Sequence, residues 1–199
     1  MNRLQRASIV GVAALGVALW LTGCMTSAPT HHYTLTALAP PPPPGLETER
    51  TLGVGPLRLP LHLRQSALVR RTSAYRVTYG DFDLWADPVE DGVTEILMEN
   101  LARLTGARRV VRHPWRPNEA PDRQLALEIT AFELAADGQA ELTARWEIRD
   151  AHGSLLESGE TSRSESAGGQ LDALAEALSR ALLALSRDLA AALSRHSGR

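Results

Sequence analysis

The sequence predicts an α/β (α+β) fold: a single compact domain whose mostly antiparallel or mixed sheet is packed by two main helices, at about 87–105 and 170–195. Three observations predict it. Val89, Val93, Ile96, Leu97, Leu101 and Leu104 recur at helical spacing. Ala140, Leu142, Ala144, Trp146 and Ile148 alternate strictly with polar residues, which is strand patterning. Leu171, Leu174, Leu178, Leu182, Leu185, Leu189 and Leu193 form a second helical stripe.

The N-terminal region comes first in the chain. Arg3 and Arg6 precede an apolar run, Ala7 to Leu21, too short for a comfortable membrane span. It ends in Leu21-Thr22-Gly23-Cys24, the pattern of a lipoprotein signal with small residues before a cysteine. Residues 1–23 are therefore expected to be a signal peptide, Cys24 the acylated residue and 24–30 a tether. Acyl chains contribute about 0.8 kcal/mol per buried methylene, and several chains make attachment stable. Cys24 is the sole cysteine, so no internal disulfide is possible. Met25, where an aspartate would favour the inner membrane of enteric bacteria, favours the inner leaflet of the outer membrane.

The main domain is expected over 31–196. His32 to Leu38 reads as a short strand. The connector 40–45 is proline-rich and suits extended polyproline geometry; a PxxP ligand is the alternative reading. Leu52 to Leu61 reads as a strand that Pro56 and Pro60 place at an edge or a bulge. Ala67 to Arg71 and Tyr75 to Tyr79 read as strands joined by a turn, and Gly80-Asp81 as a further turn. Asp87, Pro88 and Glu90 form a D-P-x-E capping box, Gly106 is the left-handed stop, and Trp85 is placed to fold onto the helix's apolar face.

A short strand at Arg108 to Arg112 precedes a proline-punctuated loop, His113 to Pro121. Leu125, Leu127, Ile129 and Ala131 alternate as the next strand. Asp137-Gly138 turns into the strand around Trp146, and Ser154 to Ser162 returns as a polar edge strand. The last helix reads as a core helix, with an oligomer or partner helix as the alternative. Asp172 and Glu176 near its start and Arg195 near its end suit its dipole.

Composition narrows the function. All 21 basic residues are arginine, and 23 residues are acidic. Removing Arg3 and Arg6 with the signal segment leaves 19 basic residues, a net charge near −4, which excludes the basic surface nucleic-acid binding needs. The six histidines offer no helical metal pair. Neither a G-x-S-x-G elbow nor a P-loop occurs, and Gly53-Val54-Gly55 lacks the third glycine of a dinucleotide site. The expectation is a protein that is not an enzyme, with no catalytic residues, metal or cofactor.

An ordered set of short motifs carries a resemblance. They are Tyr33-Thr34-Leu35, Val54 to Pro60, Arg64, Leu68 to Arg71, Trp85-Ala86-Asp87-Pro88, Glu99-Asn100-Leu101, Pro114-Trp115, Leu125 to Phe132, Ala144-Arg145-Trp146 and Leu185 to Ala190. With these the chain resembles the ABC-type transport auxiliary lipoproteins, the PqiC (YmbA-like) family. Two positions depart from the family pattern: Leu61-His62-Leu63-Arg64 keeps mainly the arginine, and Asp87 stands where glutamate is usual.

The resemblance implies a compact α/β domain serving as a lipid-anchored periplasmic subunit of a lipid transport system. Its partners would be an MCE-domain tunnel protein and an ABC permease and ATPase, with a homo-oligomeric ring as a further implication. Candidate docking residues are Arg58, Pro60, Arg64, Arg70 and Trp115; the loops Pro60 to Gln65 and His113 to Pro117 combine proline rigidity with exposed arginine or aromatic side chains, and ordinary surface loops are the alternative. The competing classes are an outer-membrane assembly or cell-wall synthase-activating lipoprotein, a lipid carrier with its own pocket, and a periplasmic hydrolase.

Overall fold

The computed structural model describes residues 28–116 and 119–196; the signal segment, Cys24 and most of the tether lie outside them. Eight strands and two long helices occur among the described residues: β1 His31–Tyr33, β2 Thr48–Arg58, β3 Ala67–Ser73, β4 Arg76–Trp85, α1 Val89–Thr105, β5 Ala107–Arg112, β6 Arg123–Leu134, β7 Gln139–Asp150, β8 Leu155–Ser166 and α2 Leu174–Arg195. All eight strands join one mixed sheet, ordered β1-β4-β3-β6-β2-β5, with β7 on the other edge of β6 and β8 outside β7. β2 runs parallel to the first half of β6, from Leu52↔Arg123 to Arg58↔Glu128. β3 then touches the same edge of β6 at Arg70↔Leu134. The β6-β7-β8 meander is antiparallel, as its alternation and turns predict, and β8 is an edge strand.

Both helices cover one face of the sheet, and the core lies between the layers. α1 packs on β2, β5 and α2, and α2 on β6, β7 and β8. Leu178, Leu182, Leu185 and Leu189 of α2 are fully buried, so the core reading of this helix holds. Ala140, Leu142, Ala144, Trp146 and Ile148 of β7 meet them from the sheet.

Two bulges keep the apolar residues in phase. β2 shifts register between Val54 and Leu57, so Leu52, Val54, Leu57 and Leu59 are all buried. The prolines thus sit at a bulge; the edge position is ruled out, because β2 lies between β5 and β6. β6 shifts between Ile129 and Ala131. Phe132 and Leu134 take the inward positions after it, and Ala131, expected inward, pairs with the outward Thr143. Gly80-Asp81 is not a turn. β4 runs through it, and the surplus residues are absorbed where the pairing jumps from Val69↔Tyr79 to Ala67↔Leu84.

The helix starts also differ from expectation. Pro88 is extended (φ −53°, ψ 129°), and its carbonyl accepts from the N–H groups of Asp91 and Gly92 at 2.9 and 3.0 Å. Pro88 is therefore the N-cap, and Asp87 lies one position too early to cap; no side-chain cap forms. Residues 86–88 carry the chain off β4, with the Ala86 N–H held by the Tyr33 carbonyl at 2.9 Å. Glu90 and Asp91 still place negative charge in the first turn, and Gly106 closes the helix at φ 62°. Trp85 is buried, its ring 5.9 Å from that of Phe132 of β6. α2 begins at Leu174, not 170, because Gly168 and Gly169 adopt left-handed conformations and 170–173 form a turn.

The strand expected over 32–38 stops at Tyr33. Beyond it the chain is an extended strap across the helices. Its backbone donors bond to helix side chains: Thr36 N–H to Ser179 Oγ at 3.1 Å and Ala39 N–H to Asn100 Oδ1 at 2.9 Å. Arg103 donates to the Ala39 carbonyl at 2.8 Å. Buried Asn100 thus anchors the start of the proline connector, whose Pro40 to Pro44 are exposed.

Candidate functional site

The candidate site lies on the other face of the sheet, and two glycines build its wall. In β2, Gly53 and Gly55 alternate with the core residue Val54 and face away from the helices. A Cβ on Gly53 would stand 2.5 Å from Pro121 Cγ and 2.8 Å from the Trp115 ring. A Cβ on Gly55, whose φ is +113°, would stand 2.7 Å from His113 Cβ. The loop after β5 therefore lies directly on the β2 backbone, fixed by the His113 N–H to the Val54 carbonyl at 2.9 Å. His113 and Trp115 meet edge to face, 5.1 Å apart. The Gly-Val-Gly stretch is a seat for this loop.

Beside that wall a groove of about 750 Å³ runs over the outward face of β6, β7 and β8. Gly55, Pro56, Arg58, His113 and Trp115 form one side. Its floor carries Glu128, Arg145, Glu147, Arg149 and Glu160. Arg145 reaches Glu160 at 3.1 Å and Glu128 at 3.8 Å, and Arg149 meets Glu147 at 2.6 Å. Three arginines and three glutamates thus leave the groove without net charge. Arg58 is exposed and makes no hydrogen bond or ion pair among the described residues. Such a surface, with one uncommitted guanidinium and a half-buried tryptophan at its margin, suits a partner with mixed polar and apolar contacts.

A model of one family matches residues 33–190: the ABC-type transport auxiliary lipoprotein component. The chain belongs to the ABC-type transport auxiliary lipoprotein family. This family places the protein at the cell envelope; no helix among the described residues is long and apolar enough to cross a membrane. A solved structure of a Xanthomonas campestris protein of family DUF330 is similar at 16% identity and TM-score 0.70, covering 85% of this chain and 100% of that one. Another, of an uncharacterized protein, is 19% identical with TM-score 0.69, covering 83% and 99%. At these identities the likeness concerns the fold. No curated protein matches the chain.

The groove brings together two of the docking residues expected for the auxiliary lipoprotein, Arg58 and Trp115. Pro60 and Arg64 do not line it. They flank a 3-10 turn, Leu61–Leu63, in which Arg64 is exposed. That turn helps cover Glu133, an outward-facing acid of β6 that is 1% exposed. Arg71 neutralises Glu133 through two hydrogen bonds, and His62 Nε2 stands 3.9 Å away. Arg70 is committed within the fold, donating to the Gly169 carbonyl at 3.0 Å. Trp85, Pro88 and Glu90 serve the α1 start described above, while Asp87 is exposed. Pro117 and Cys24 lie outside the described residues.

Other motif residues have structural tasks. Trp146 lies over Gly159 of β8, where a Cβ would come within 2.5 Å of the ring, and its Nε1 donates to Thr161 at 3.3 Å. Thr161 donates in turn to Asp188 of α2 at 3.3 Å, and Asp188 pairs with Arg163. At the opposite end of β8, hydrogen bonds from Arg195 and then His196 hold the Glu157 carboxyl below the usual carboxylate range. Sequence reasoning missed the groove floor. Its alternation puts Arg145, Glu147 and Arg149 on one face, but nothing local shows that Glu128 and Glu160 flank them or that the Trp115 loop borders them.

Proposed function

We propose that the protein is a lipid-anchored periplasmic accessory subunit of an MCE/ABC-type lipid transport system. In this reading it docks the periplasmic tunnel component at the inner leaflet of the outer membrane. The observation that carries the structural part is the groove, whose wall holds uncommitted Arg58 beside Trp115 over a floor of matched ion pairs. The family supplies the transport context. A docking role needs no catalysis: the rigid sheet presents the groove, and acyl chains on Cys24 hold the domain at one membrane. Several subunits on one partner would multiply weak contacts by avidity.

The test is affinity capture of the full lipidated chain from native membranes, with mass spectrometry of its companions. Recovery of an MCE-domain protein and ABC subunits, lost when Arg58 and Trp115 are both changed to alanine, is the expected result. Undiminished capture by the double variant sinks the docking surface. Capture of a cell-wall synthase or a barrel-assembly factor in place of the transport subunits overturns the transport reading.

A further inference from the structure

A second cavity lies in the helix layer, remote from the groove in its lining residues. It is a cleft of about 250 Å³ where the ends of α1 and α2 diverge over the start of β2. Leu46, Leu52, Leu104, Ala107, Ala190 and Leu193 give it apolar walls. Its polar lining consists of hydroxyls from Thr48, Thr51, Thr105 and Ser194 and the guanidinium groups of Arg50 and Arg123; no carboxylate contributes.

The two arginines differ. Arg123 is committed: it donates to the His196 carbonyl at 2.8 Å, so it serves the C-terminal end of α2, and to the Asp122 carbonyl at 2.8 Å. Arg50 is not. It lies between Thr48 and Leu52 in the first half of β2, where all three line the cleft, and it makes no hydrogen bond or ion pair among the described residues. Half-buried beside an apolar cleft, its charge is complementary to an anion that brings its own hydrocarbon. An ordinary packing gap between helix ends would not require an uncommitted cation at its lining.

We propose that this cleft binds a single-chain anionic amphiphile, its acyl chain between Leu46, Leu104 and Leu193 and its charged head on Arg50. The volume falls below the roughly 300–1,000 Å³ of sites for drug-sized ligands, so one chain fits and a two-chain phospholipid does not. The Thr48 and Ser194 hydroxyls donate within the fold, to the Gly106 carbonyl at 3.4 Å and the Ala191 carbonyl at 2.7 Å, so the head group is held by Arg50. This inference does not depend on the proposed partner.

The experiment uses the full lipidated chain in phosphatidylcholine nanodiscs. It is exposed to photoreactive alkyl probes bearing a carboxylate, a phosphate monoester or an uncharged alcohol, and the labelled peptides are mapped. Anionic probes are expected to label 46–52, 104–107 and 190–194, with apparent affinity rising about fourfold per added methylene until the cleft is full. Arg50→Gln should weaken the anionic probes about tenfold and leave the alcohol unchanged. Ala190→Phe, which fills the cleft, should abolish labelling there. Stronger labelling by the carboxylate identifies a free fatty acid; by the phosphate, a lysophospholipid. Labelling that ignores charge, or that Arg50→Gln does not alter while circular dichroism shows the native fold, overturns the proposal. Because capture of the MCE partner is measured separately, failure here leaves the transport reading standing.

Discussion

The two faces of the sheet do opposite things with their side chains. Toward the helices, β6 and β7 present Leu125, Leu127, Ile129, Leu142 and Ile148, all at 3% exposure or less. Away from the helices the same strands present Glu128, Arg145, Glu147 and Arg149, paired with one another or with Glu160 across the sheet. Stability belongs to the first face, because burial of apolar area is worth about 25 cal/mol per Å² whereas an exposed ion pair contributes about 0–1 kcal/mol. The second face can change a side chain without disturbing the core, which is what the proposed docking role requires.

The largest expected effect contrasts the two faces directly. Leu182→Ala, at a fully buried position of α2, should destabilise by about 2–5 kcal/mol in urea unfolding, from lost transfer energy and a residual cavity. Arg145→Ala, in the centre of the groove floor, should stay within about 0.5 kcal/mol. Comparable losses from both would break the division between the faces.

The exception on the outward face sharpens it. Around Gly53 the two-faced pattern gives way to a tight seat for the Trp115 loop. Gly53→Val should therefore cost about 1–3 kcal/mol by overpacking against Pro121 and Trp115. Trp115→Ala should recover part of that cost in the double variant, a positive coupling seen in a double-mutant cycle. Independent, additive effects would show that the loop is not seated on β2.

The smallest effect concerns an ion pair on the helix side, at the margin of the core. The Glu157 carboxyl is held below its ordinary range by Arg195 and His196. A carboxyl whose folded pKa lies below its unfolded value stabilises the fold above that unfolded value and loses the contribution as pH falls through the folded one. The stability advantage of the wild type over Glu157→Gln should thus be complete at pH 7 and shrink below about pH 4, the ordinary carboxylate range. An advantage that grows on acidification would reverse the assignment.

Much of this was legible in residue order. The strict alternation of β7 identifies its inward face, the leucine stripe of α2 identifies a core helix, and Gly106 marks a helix end, because each depends on local periodicity or on one residue's backbone freedom. Short-range reasoning failed where a tertiary contact chose between local options. Asp87 has the chemistry of a cap, but the departure from β4 moves the helix start to Pro88. Gly80-Asp81 has the chemistry of a turn, but pairing with β3 draws it into β4.

The candidate sites divide in the same way. The sequence by itself singled out Arg58, Pro60, Arg64, Arg70 and Trp115, and a family resemblance that the match over 33–190 bears out. Only the tertiary structure decided that Arg58 and Trp115 share a groove, that Pro60 and Arg64 lie apart from it and that Arg70 is tied to Gly169. It alone assembled the cleft around Arg50 from β2, β6 and the ends of α1 and α2. The physical reason is separation along the chain. Periodicity tells a side chain which face it occupies, but which strand lies beside it depends on burying every apolar face at once.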